Sequence, residues 1–220
     1  MRLAMPVLPL FPLNTVLFPG SRLPLRIFED RYKQMLRACL DGDRRLGVVL
    51  IKSGKEVGGL AEPFSVGTAG RIEDLGKPEN GAIPLTIAGE RRFRIVNLNR
   101  SLPYLVGDVE YLDQTADPDA GAAAREYREV AERYLRLLFA SHGEYRGSVE
   151  LSNEPGPLEE AGGSLLFDHS TEIRQAILEA EPMSRRLRLM ARAVARSVKS
   201  AEAGLMRGGP GRDRTVFGIN

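Results

Sequence analysis

The chain has 220 residues, a length that suits one domain or two small ones. With 43% hydrophobic and 27% charged residues it has the composition of a folded soluble protein, which excludes a disordered or membrane-embedded chain. A net charge of +2 advertises no cationic field for broad nucleic-acid binding, and one cysteine with two histidines excludes an intrachain disulfide, a cysteine-based zinc cluster and a histidine-rich metal site.

The first stretch, Leu3 to Phe18, is apolar but interrupted by Pro6, Pro9 and Pro12. Prolines at that density remove helical donors, so the run is not a signal-peptide helix and is expected to be extended, as an edge strand. Pro19-Gly20 suits a type II turn, and Leu23 to Phe28 reads as a strand whose Pro24 must sit at an edge. Glu29 to Leu40 then sets Tyr32, Met35, Leu36, Cys39 and Leu40 on one helical stripe, ended by Asp41-Gly42. Cys39 reads as a small buried hydrophobe on that stripe. Short apolar runs follow at Arg45–Lys52, Phe64–Leu75, Ile83–Ala88, Phe93–Leu98 and Tyr104–Leu112, punctuated by glycines. Such spacing predicts a β-barrel or sandwich. No stretch reaches the ~18 apolar residues that a membrane helix requires.

After Asp117-Pro118 the periodicity turns helical, at Ala122–Ala140, Thr171–Ala180 and Ser184–Ala203. Ser170 or Thr171 supplies a cap for the second of these. Ser152–Gly163 holds two prolines and three glycines and is at most partly helical. The expected organisation is a β-rich domain over 1–115 with one helix near 29–41, a helical bundle over 116–203, and a flexible tail over 204–220. Acidic residues dominate 144–180 and basic residues 181–220, a contrast that predicts pairing between the two segments.

Signatures for chemistry are missing. The sequence holds no G-x-x-x-x-G-K-[ST], no H-E-x-x-H and no G-x-S-x-G. Asp168-His169-Ser170 lists the residue types of a catalytic triad, but neighbours in sequence point in different directions, and a loop and helix cap is the expectation there. No catalytic residue, metal ligand or cofactor site is therefore predicted. Arg91, Arg92 and Arg94 flank Phe93 on a presumed strand with one wet face, and Arg207-Gly-Gly-Pro-Gly-Arg212 is a short basic, glycine-rich stretch. These, with the basic C-terminal segment over 181–220, carry an alternative expectation, RNA binding through the β-barrel, whose mark would be steep weakening with salt.

The most distinctive residues are Leu8-Pro-Leu-Phe-Pro-Leu-Asn-Thr-Val-Leu-Phe-Pro-Gly20 and Leu23-Pro-Leu-Arg-Ile-Phe-Glu-Asp-Arg-Tyr32, followed by Gly67-Thr-Ala-Gly-Arg-Ile-Glu73, Gly89-Glu-Arg-Arg-Phe-Arg-Ile95 and Ile173-Arg-Gln-Ala-Ile-Leu178. Over about residues 6–203 the chain resembles the LON substrate-binding domain, the N-terminal domain of Lon-family proteases. The resemblance implies an α+β fold, a PUA-like twisted β-barrel followed by a helical bundle. Full-length proteases of that family continue into ATPase and Ser-Lys peptidase modules. A chain without them is expected to be a stand-alone, non-enzymatic cytoplasmic module, with no cofactor, no metal and no membrane contact. Its expected partners are unfolded or client polypeptides, alongside a protease or an adaptor complex. Phe11, Leu13, Val16 and Phe18 are the candidate peptide-binding residues. Two expectations stand for them: an exposed patch that accepts polypeptide, or barrel core and edge cover.

Overall fold

Prolines decide how the first strand pairs. In the computed structural model, which describes residues 5–58, 61–112, 115–141 and 150–206, strand β1 spans Val7–Leu13. It is followed by β2 (Arg22–Ile27), α1 (Asp30–Asp41), β3 (Arg45–Gly54), β4 (Ala61–Pro63), β5 (Val66–Leu75), β6 (Ile83–Asn99) and β7 (Leu105–Tyr111). Helices α2 (Ala120–Ser141), α3 (Pro155–Gly162), a 3-10 turn (Gly163–Leu166), α4 (Thr171–Glu179) and α5 (Met183–Met206) complete the order. The Arg207–Arg212 stretch and most of the expected tail lie outside the described residues.

The first strand is not the edge strand expected from its prolines. Val7 to Leu10 pair antiparallel with β7, and Leu10 to Leu13 pair parallel with β3. The Val109 amide donates to the Pro6 carbonyl, so by the two-residue alternation Leu8 and Leu10 face β7 and Pro9 faces away from it. Pro12 has the same parity as Leu10, and its missing N–H falls on the side where β7 has already ended. Each proline therefore meets a neighbour on one side only, which is how a two-sided strand tolerates both.

Pairings run β1–β7–β6–β5–β3 and return through β3–β1, curling one sheet back on itself, with β4 on β3 and β2 on the first half of β6. Ile83–Ala88 and Phe93–Leu98 are not two strands but one, β6, 17 residues long. Gly89 lets it bend without breaking: its amide donates to Ser21 O and its carbonyl accepts from Gly20 N. A Cβ there would stand 2.2 Å from the Phe18 carbonyl oxygen, so no side chain fits. The interior holds Phe11, Leu13, Leu17, Ile27, Leu46, Ile72 and Ile87 at one end, where α1 contributes Tyr32, Met35, Leu36 and Cys39. A second cluster gathers Leu8, Leu10, Val49, Phe93 and Val109.

The chain forms two units, 1–115 with 167–180, and 116–166 with 181–220. The segment 116–203, expected as one bundle, is thus divided, because α4 belongs to the β-rich unit. Ser170 caps α4, its side chain accepting from Ile173 N as its sequence foretells. Gln175 Nε2 donates to Val66 O at 3.0 Å, Arg174 donates to Val16 O, and Arg92 donates to Leu178 O. These polar side chains are all buried and answer main-chain carbonyls at the end of α4 (Leu178), in the loop after β1 (Val16) and at the start of β5 (Val66).

In the second unit α2 turns Ala120, Ala123, Ala124, Tyr127 and Ala131 toward the interior, a small-residue face that lets α5 approach with Leu187, Met190 and Val194. Pro155 opens α3, where a missing N–H costs nothing. Arg186, 1% exposed, is held by Glu159 at 2.6 Å and by Glu181 at 3.7 Å. The acidic stretch and the basic helix thus pair here, at a buried position.

Candidate functional site

The four residues singled out by sequence are buried, at 5% exposure for Phe11, 3% for Leu13, 3% for Val16 and 5% for Phe18. They are not an exposed patch. Each contributes about 1.5–3 kcal/mol of burial to the fold, which accounts for the apolar run. The loop after β1 is fixed through its main chain: Thr68 Oγ1 donates to Leu17 O at 2.6 Å, while Arg174 takes Val16 O.

Two of the four nonetheless reach a surface feature. Phe11 and Leu13, with Leu25, Ile27 and Tyr32, line a recess of about 60 Å³ beside β2. Phe11 meets the Tyr32 ring at 4.5 Å between centroids. Phe28 and Val57 stand at its rim, 54% and 53% exposed. A second recess of about 50 Å³ shares Tyr32 and is lined by Pro12, Arg100, Leu102 and Tyr104. Leu102 is 48% exposed at that rim.

Arg31 lines the second recess beside the shared Tyr32. Its guanidinium lies 4.5 Å over the Tyr32 ring, donates to Glu29 Oε2 at 3.1 Å, and reaches the Glu56 main-chain carbonyl at 3.0 Å. Glu29 also accepts from Gly58 N, and Glu56 accepts from Asn14 N, each at 3.1 Å. The loop after β3 is therefore tied to the start of α1 and to the exit of β1. Glu29, Arg31 and Glu56 are thus engaged with each other and with the loops, and the floor between them is apolar. A space of this size admits one side chain, not a cofactor.

No acid–base or nucleophilic constellation occurs at these recesses. Burial pushes the Cys39 thiol up to about 11, so it stays protonated and unreactive. Desolvation likewise raises the Tyr127 hydroxyl in the helical unit. Among the described residues, no group of three or more His, Cys, Asp or Glu side chains is placed to hold a metal ion, and no helix is long and apolar enough to cross a membrane. Ser170 acts as the cap of α4.

The arginine cluster does not form one basic face. Arg92 is 1% exposed and points to Leu178, whereas Arg91 lies 4.6 Å over the Tyr111 ring and Arg94 is exposed. The expectation of a half-wet strand fails at Arg92, which is turned to the last turn of α4, while Arg94 of the same parity stays exposed. Phe28, Val57 and Leu102 went unnoticed in the sequence, since lone apolar residues in loops carry no period. For Phe28 a signal existed. Leu23, Leu25 and Ile27 alternate inward, so Phe28 shares the outward parity of Arg22 and Arg26.

Comparison with known proteins adds an independent line. The profile of the family described as "ATP-dependent protease La (LON) substrate-binding domain" matches residues 7–196. Lon protease 2 of Myxococcus xanthus is 29% identical over 189 residues, 84% of this chain and 23% of that protein. Lon protease of Paraburkholderia phytofirmans is 31% identical over 186 residues, 83% of this chain and 23% of that protein. The chain thus spans about a quarter of the length of the curated relatives it matches. Among solved structures, a Lon N-terminal domain protein from Xanthomonas campestris is 30% identical, with a TM-score of 0.56 over 83% of this chain and 95% of that one. The N-terminal domain of a Mycobacterium avium complex Lon protease shares the fold at 17% identity, with a TM-score of 0.66 over 86% of this chain and 98% of that one.

Proposed function

The chain belongs to the LON substrate-binding domain family, and on that premise we propose that it is a non-catalytic module that binds unfolded or client polypeptide. The matched part of the relatives is their substrate-binding domain and not their ATPase or peptidase parts. The observation that carries the reading is the pair of recesses on either side of Tyr32, apolar in floor and rimmed by exposed Phe28, Val57 and Leu102. Exposed apolar side chains beside a pre-formed hollow are what a polypeptide-binding surface requires, and each hollow suits one apolar side chain of a partner. Partners would be delivered to, or held for, a protease or an adaptor complex. A cytoplasmic place is supported by the one buried, unpaired thiol.

The test is a titration of the full chain into a permanently unfolded polypeptide, such as a reduced and carboxymethylated protein, followed by fluorescence anisotropy. Binding should tolerate salt, and Phe28→Asp with Val57→Asp should weaken it by about tenfold, the loss of ~1.4 kcal/mol of apolar contact. Unchanged binding by the double variant would remove the recesses from the function. Casein incubated with the pure chain, with or without ATP, should remain intact.

A further inference from the structure

Strand β2 has a free side. Among the described residues it pairs with β6 alone, from Arg22↔Ala88 to Ile27↔Ile83. The Gly89 amide donates to Ser21 O, so the alternation of an antiparallel ladder turns the main-chain groups of Leu23, Leu25 and Ile27 toward β6. Pro84, opposite Arg26, agrees, because its carbonyl accepts from Gly76 N on the other side of β6. The N–H groups of Arg22 and Arg26 and the carbonyls of Arg22, Pro24 and Arg26 therefore face outward. Pro24 has no N–H to waste there.

The geometry points to strand addition: an extended segment of a partner polypeptide lies along β2, with alternating apolar and acidic side chains. The inference rests on the polypeptide-binding reading above and supplies its mode. Leu23 and Leu25, half-buried on the inner face, would be covered by apolar side chains of the added strand, one of which enters the recess at Phe11, Leu13 and Tyr32. On the outer face stand Arg22 and Arg26, with side chains 72% and 60% exposed. Glu73 takes the Arg22 Nε–H at 2.8 Å, and Glu79 stays 3.6 Å from Arg26. Each guanidinium carries five N–H donors, so most remain open to a carboxylate opposite on the added strand. The same charges argue against a second copy as the occupant. Two β2 strands paired antiparallel about Pro24 would set Arg22 against Arg26 twice, and like charges directly opposite are destabilising.

A blocked, dye-labelled peptide of alternating glutamate and leucine, titrated against the full chain, tests this. The chain should bind it about tenfold more tightly than the lysine–leucine counterpart, and N-methylation of alternate peptide amides should abolish binding in one register only. On the protein, the Arg22 and Arg26 amides should gain protection from hydrogen exchange, while Leu23 and Leu25 are already protected by β6. Arg26→Pro, which deletes one outward N–H, should bind about fivefold more weakly than Arg26→Ala, one main-chain hydrogen bond's worth. If that variant does not fold, the N-methyl series decides alone. Equal binding of all N-methylated peptides, with no new protection on β2, overturns strand addition yet leaves polypeptide binding standing. Equal binding of the lysine peptide overturns the acidic preference. Failure to bind these peptides and the unfolded polypeptide alike removes both readings. A concentration-dependent dimer that protects the β2 amides makes a second copy the occupant and overturns the proposal.

Discussion

Arg92 Nη1 lies 3.0 Å from the carbonyl oxygen of Leu178, and this contact joins the middle of β6 to the last turn of α4. Helix ends leave carbonyls without intrahelical donors and carry partial negative charge, so a guanidinium is a fitting cap. Arg92→Met keeps most of the stem and removes the donors. Two effects oppose each other. The variant no longer buries a charge, which favours it, but it leaves the buried end of α4 without its donor. Hydrogen bonds to charged groups contribute about 1.5–3 kcal/mol, and the shape of the cavity stays that of a guanidinium, so the loss should win. Urea unfolding should show a lower midpoint for Arg92→Met; an equal or higher midpoint would show the desolvation cost to be the larger.

Glu90 bridges Arg45 of β3 at 2.7 Å and Arg71 of β5 at 2.8 Å. Burial alone would raise its carboxyl, but hydrogen bonds and charge from the two arginines outweigh it and hold the group below its ordinary value of 4.5. A depressed carboxylate stabilises the fold above its unfolded pKa, and that contribution is lost as pH falls through the folded one. Its side chain is 29% exposed, so the contribution is on the order of 0.5–1 kcal/mol. Glu90→Gln should therefore cost that much at pH 7 and progressively less as pH falls below 4.5 and through the lowered folded value. A stability difference that persists undiminished into acid would mean the residue acts through packing and not through its charge.

Much of this fold is written locally, and some of its most consequential features are not. The stripe of α1, the Ser170 cap and the extended course of β1 follow from residue type and spacing within a dozen positions. The continuity of β6 does not, because Gly89 in a sequence looks like punctuation, and only the approach of the Phe18 carbonyl shows why it is glycine. Arg92 looks like the wet residue of an alternating strand until α4, some eighty positions later, covers it. Nor does α4 carry in its own sequence which unit it will join; nothing in the residue types of Arg174 and Gln175 marks them as buried donors to Val16 and Val66 carbonyls. Of the two expectations for the apolar run, core and edge cover is the one its burial matches, and Phe11 and Leu13 reach the surface only as the floor of a recess. The rim residue Phe28 was legible by parity, but a single residue of parity is a faint signal.

Two glycines of the same chain should answer alanine with opposite signs. At Gly89 a new Cβ would lie 2.2 Å from the Phe18 carbonyl oxygen and 3.2 Å from the Leu17 side chain. The first neighbour is main chain, held by the ladder and the turn at Gly20, so it cannot step aside without loss of the Gly20–Gly89 hydrogen bond. Gly89→Ala should cost about 2–4 kcal/mol, in the range of core overpacking with a lost hydrogen bond. Gly156, in the first turn of α3, would meet nothing within 4 Å. There alanine only narrows the unfolded ensemble and improves helix propensity, and Gly156→Ala should stabilise by about 0.4–1 kcal/mol. Paired thermal melts of the two variants check both at once. A harmless Gly89→Ala would mean that the Phe18 carbonyl gives way readily and that its close approach does not fix glycine at this point of β6.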